Sequence, residues 1–160
     1  LRQQHIAQSK EQAMSVRLEH VNLCVRDIDA ALRFLRTAFP DFRIRADRTG
    51  ADGSRWVHFG THDNYIALTA ADPAPVADAP GSPRWEPYCG LPGVNHLGYE
   101  VDDAEALRSR MLAAGYEEST VPNAHPFRKR VYFLDADGND WEFVEYLTPD
   151  PARRNDYQLV

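Results

Sequence analysis

The sequence predicts an α+β fold: two repeated β-α-β-β-β modules forming a cupped, mixed but mostly antiparallel sheet with the helices outside. Three observations predict it. His20, Val25 and Asp27 recur as His96, Val101 and Asp103, an internal repeat with an offset of 76. Both copies open with strict alternation of apolar and polar residues. Both then switch to helical spacing.

The elements follow in order. In residues 18–27, Val21, Leu23 and Val25 share one face and His20, Asn22 and Cys24 the other. In residues 94–103, Leu97, Tyr99 and Val101 oppose His96, Gly98 and Glu100. Period-two alternation marks a half-buried strand whose polar face looks away from the main core. Asp27 and Asp103 are N-cap candidates, and Asp102 with Glu105 has capping-box spacing. Ile28, Ala31, Leu32, Leu35 and Phe39 form one helical face; Ala104, Leu107, Met111 and Ala114 form the other. Pro40 ends the first helix and Gly115 is placed to cap the second. Beyond the helices Arg55 matches Arg130 and Asn64 matches Asn139, an offset of 75. The strand at 65–69 then lies on the strand at 140–144. Asp63-Asn64 and Asp137-Gly138-Asn139 supply the turns.

These limits place one domain at 16–148, with module one at 16–71, a linker at 72–91 and module two at 92–148. The stretch 72–93 holds six prolines and three glycines, a composition that excludes helix or central strand. Trp85, Tyr88 and Leu91 predict that it packs rather than hangs free. Residues 1–15 read as an N-terminal extension without an apolar signal segment, and 149–160 as a polar tail on the surface or on a partner subunit.

Composition excludes several function classes. The net charge of -6 and the single basic run Arg128-Lys129-Arg130 argue against nucleic acid. No apolar run approaches the roughly 18–20 residues of a membrane span. Cys24 and Cys89 make neither a zinc knuckle nor a disulfide framework. A reduced, cytoplasmic compartment is the expectation, and Cys24 reads as a small buried residue.

The chemistry concentrates on the polar faces. His20 and His96 open equivalent strands, and a pseudo-twofold between the modules makes those faces converge. Two imidazoles there are ready ligands for a transition metal. Trp141 and Phe143 read as core-facing, so Glu142 points to the cavity; its counterpart in module one is Ala67, which binds nothing. Two His and one carboxylate suit Fe(II) or Mn(II), with Ni(II) or Zn(II) as further options. Asn22, Tyr65, Thr69, Glu100 and Tyr146 are candidates for contacting a small-molecule substrate. The basic run is a candidate for drawing an anion into the cup.

The half-motifs at 20–25 and 96–101, with Asp135-Ala136-Asp137-Gly138-Asn139 leading into Glu142, resemble the vicinal oxygen chelate superfamily. It contains glyoxalase I, extradiol ring-cleaving dioxygenases, and fosfomycin- and bleomycin-resistance proteins. The resemblance implies ligand positions at His20, Ala67, His96 and Glu142, and a homodimer. Ala67 departs from glyoxalase I, which uses all four; the other three match extradiol and fosfomycin-resistance enzymes. Asn123-Ala124-His125, then Val131-Tyr132, Asp135, Gly138 and Glu142, resemble the extradiol signature, with Ala136 where proline is usual. That resemblance implies His125 as acid/base, Tyr132 as substrate-binding group and ring cleavage as the reaction. The alternatives are glyoxalase- or fosfomycin-resistance-type chemistry, or a non-catalytic binder like the bleomycin-resistance proteins.

Overall fold

The computed structural model describes residues 17–71, 94–121 and 124–159. The N-terminal extension, the Pro-rich linker with Cys89, and Asn123 lie outside the described residues. In the first module β1 (His20–Val25) leads to α1 (Ile28–Ala38), then β2 (Arg43–Thr49), β3 (Arg55–Gly60) and β4 (Tyr65–Ala70). The second runs β5 (His96–Glu100), α2 (Ala104–Ala113), β6 (Arg128–Leu134) and β7 (Asp140–Tyr146). A short α3 (Pro151–Arg154) follows.

The strands form two sheets, ordered β1-β4-β3-β2 and β5-β7-β6. The first strand of each module pairs in parallel with the last, and the remaining pairs are antiparallel. Among the described residues, module two has one strand fewer than the repeat predicts. Where the counterpart of β2 belongs, Glu118 makes a single bridge to Phe133. Two backbone bonds, Ser119 N–H to Tyr132 O at 2.9 Å and Leu134 N–H to Glu117 O at 3.0 Å, hold this segment together with side chains: Thr120 Oγ1 accepts from the Tyr132 N–H at 2.8 Å, and Ser119 Oγ donates to Asp140 Oδ1 at 2.6 Å.

The helices start and stop as their ends dictate. Asp27 Oδ1 accepts from the N–H groups of Asp29 and Ala30. Asp103, not Asp102, caps α2 by accepting from Ala106 N–H. Glu105 therefore closes no capping box and pairs with Arg108 instead. Past α2, Gly115 adopts φ 83°, and the Tyr116 N–H returns to Met111 O at 3.2 Å. The left-handed turn is one that glycine enters without a Cβ clash.

One core serves both modules. Phe34 of α1 meets Trp141 of β7 at 5.7 Å and Tyr116 at 5.0 Å, and Phe39 meets Phe143 at 5.7 Å. Arg110 of α2 donates to the carbonyls of Thr37 and Ala38, satisfying the end of α1. Arg26 donates to Asp137 and to the Ala136 carbonyl, tying the end of β1 to the β6–β7 turn. Because the apolar residues of both sheets point into this core, the opposite faces carry the polar residues.

Candidate functional site

Strand parity places the second sheet's polar residues. Trp141 and Phe143 are fully buried, so Glu142 between them points out of the core. In register, Glu142 has Gly98 on one side and Tyr132 on the other. His96, two residues before Gly98, reaches Glu142: Nε2 and Oε2 are 3.2 Å apart. Tyr132 stands edge-on to the His96 ring with centroids 5.8 Å apart. A Cβ on Gly98 would lie 3.4 Å from Glu142 Oε2, so glycine there keeps the flank of the carboxylate clear.

His20 occupies the corresponding position on the first sheet. Its ring stacks on Tyr65 at 4.8 Å and its Nδ1 bonds to Glu19. Among the described residues of one chain, no three His, Cys, Asp or Glu side chains gather closely enough to hold a metal ion. The single chain thus assembles His96 and Glu142 and leaves His20 on the other sheet. Ala67 lies between Asn22 and His58 in register, with no donor to offer.

The remaining candidates divide between the sheets. Asn22 Oδ1 accepts from Thr69 Oγ1 at 3.4 Å. On the second sheet, Glu100 pairs with Arg154 at 3.9 Å, and the Arg154 guanidinium lies 4.6 Å over Tyr146. Arg128 is buried, with Tyr157 of the tail over its guanidinium, while Lys129 pairs with Glu145. Cys24 is exposed on the polar face, which corrects the expectation of a buried thiol.

His125 is engaged by the protein itself. It is 5% exposed, its Nδ1 accepts from the Phe127 N–H at 3.2 Å, and its Nε2 faces the Asp156 carbonyl at 3.0 Å. A carbonyl only accepts, so that network assigns the proton to Nε2. Both ring nitrogens thus have protein partners, and through them His125 fastens the C-terminal segment.

Sequence reasoning passed over His58 and Arg45. His58 was legible as the polar position between Val57 and Phe59. Its imidazole contacts Tyr65 at 4.5 Å and Trp56 at 4.8 Å. Burial, then the nearby charges of Arg45 and His20, lower its pKa from the ordinary value against the pull of Glu19.

The model of the Glyoxalase/Bleomycin resistance protein/Dioxygenase superfamily matches residues 17–143, most of the chain. The chain belongs to that superfamily. Solved structures agree on the fold. A fosfomycin resistance protein from Listeria monocytogenes is 19% identical with TM-score 0.64, over 88% of this chain and 99% of that one. A glyoxylase/bleomycin resistance protein/dioxygenase domain from Frankia is 22% identical with TM-score 0.63, over 83% and 99%. The fosfomycin resistance protein from Mesorhizobium loti is 21% identical with TM-score 0.59, over 84% and 94%. No curated protein matches the chain. Among the described residues no helix is long and apolar enough to cross a membrane.

Proposed function

We propose that this protein is a metal-dependent enzyme of the superfamily that chelates a small oxygen-bearing substrate. The divalent ion is held by His96 and Glu142 of one chain and His20 of a second copy, which makes the working unit a homodimer. The observation that carries the reading is the His96–Glu142 pair at 3.2 Å with Tyr132 beside it, complete but for one imidazole. His20 supplies that imidazole at the equivalent place on the other sheet, and among the described residues of its own chain it joins no metal-holding group.

The donor set fits an ion. Two imidazoles and a carboxylate suit Fe(II) or Mn(II), accommodate Ni(II) or Zn(II), and leave coordination positions for substrate. A related fosfomycin resistance protein was crystallised with Mn(II). When bound, the ion polarises a coordinated oxygen and lowers the pKa of its proton. The chain does the rest. Imidazole and carboxylate ligands bind a metal ion only in their deprotonated forms, so loading weakens in acid. Tyr132 donates a hydrogen bond to a substrate oxygen held near His96. Asn22, Tyr65 and Thr69 line the substrate from one sheet, Glu100 and Tyr146 from the other. Addition or isomerisation on the polarised oxygen is the reaction that these groups serve, as the engaged His125 leaves ring cleavage without its expected base.

Metal content after reconstitution with each of the four ions tests the site. Wild type retains stoichiometric metal, while His20→Ala and Glu142→Gln each lose it. A refolded mixture of the two variants regains part, because one cup of the mixed dimer is intact. Equal, negligible metal in wild type and His20→Ala ends the reading, and no recovery in the mixture ends the shared-site part. The two-His-one-carboxylate set also favours a second reading, extradiol cleavage on Fe(II). Oxygen uptake by the Fe(II) protein with any of a panel of catechols would establish that chemistry in place of the first.

A further inference from the structure

The polar face of the first sheet carries a second constellation around His58. In register, the middle rung reads Asn22, Ala67, His58 and Ala46 across the four strands. Small side chains flank His58 on both neighbouring strands, and its ring lies between those of Tyr65 and Trp56. The three rings form a continuous row with His20: Trp56–His58 4.8 Å, His58–Tyr65 4.5 Å, Tyr65–His20 4.8 Å. Side chains stand roughly upright on a sheet, so such a row turns its ring edges outward. The edge of an aromatic ring is its electropositive part. Among the described residues the Tyr65 hydroxyl, the Trp56 indole N–H and the His58 nitrogens have no hydrogen-bond partner.

Arg45 completes the row. The β2–β3 register passes from Ile44↔Phe59 to Ala46↔His58, so Arg45 is an extra residue in a β-bulge. Bulges re-aim side chains and concentrate beside active sites. Here the bulge sends the guanidinium 4.3 Å over the Tyr65 ring, across Gly60, which has no side chain in the way. The other arginines of this strand are spent locally: Arg43 on the carbonyls of Pro40 and Phe42, Arg48 on that of Asp47. Among the described residues Arg45 has neither an ion pair nor a hydrogen bond. In a chain of net charge -6, this patch is locally positive.

We infer that Arg45, His58, Trp56 and Tyr65 form a subsite for an oxyanion, a carboxylate or phosphonate carried by the substrate. The inference rests on reading the cup as the substrate site, and it narrows the substrate to a small anion. The guanidinium supplies the charge and a fork of donors. The Tyr65 O–H and the ring N–H groups supply directional donors. Among the described residues Glu19 is the carboxylate nearest this row, and it is bonded to His20.

Calorimetry on chelator-treated protein tests it, with phenylphosphonate and benzoate as anions and benzamide as the uncharged control. Both anions bind at least about 10-fold tighter than benzamide, and the difference shrinks as salt rises. Arg45→Gln weakens the anions about 10-fold or more, and Tyr65→Phe weakens them without touching the core. Arg33→Gln, exposed on α1 away from both polar faces, leaves them unchanged. The inference is overturned if no anion binds, if benzamide binds equally well, if Arg45→Gln matches wild type, or if the loss falls on Arg33→Gln as well. The two readings fail separately. Glu142→Gln abolishes metal but keeps anion binding, and Arg45-dependent anion binding in a protein that takes no metal sinks only the metal proposal.

Discussion

His125 illustrates what a single residue hides from a sequence. Ahead of Val131-Tyr132 it matches the acid/base position of the extradiol signature it resembles, yet its partner, the Asp156 carbonyl, lies 31 residues further on. No local pattern reports that bond. His125→Ala removes both ring contacts and leaves the Phe127 N–H unsatisfied, for an expected loss of about 2–3 kcal/mol. Hydrogen exchange across 150–159 should rise, with metal content unchanged. Metal loss equal to that of His96→Ala would return His125 to the active site. Glu142 shows the opposite case. Its direction follows from Trp141 and Phe143 on either side, because parity on a strand is a local property. Arg45 escaped for a related reason: a bulge breaks parity, and alternation cannot show where the extra residue sits.

At the scale of elements, α1, α2 and the seven described strands were legible, since period and capping residues are local signals. The segment after α2 was not, because the repeat predicted a full strand there. Glu118 is bound instead by a fork from Arg108, with both N···O distances 2.9 Å. That guanidinium lowers the Glu118 pKa from its ordinary value. The native state then holds this proton more weakly than the unfolded chain. The stabilisation is full above the ordinary carboxylate range and is lost as pH falls through the lowered value. Glu118→Gln should cost about 1 kcal/mol at neutral pH, the upper end for a half-exposed pair. Its acid limb should also be flatter in urea melts taken from pH 7 down to pH 3. A variant whose profile parallels wild type would show that the pair contributes nothing.

For the whole molecule, the repeat predicted two modules, but not that they share one core. Phe34 comes from the first module and is fully buried against Trp141 and Tyr116 of the second. Phe34→Ala should cost about 3–5 kcal/mol and should lower a single thermal transition rather than split it. Two resolved transitions would mean that the modules fold independently. Which chain contributes His20 to the proposed cup also belongs to this scale. It depends on how two molecules meet, and no strand pattern encodes that.

The bulge at Arg45 has a consequence for descent. Ile44 pairs with Phe59 and Ala46 with His58, so removing Arg45 alone leaves a regular ladder, every other side chain keeping its face. One lost codon therefore deletes the guanidinium while the core beneath it is untouched, and one inserted codon restores it. Substrate preference on this sheet can drift by insertion and deletion at a strand edge, a route that counting substitutions among relatives would miss.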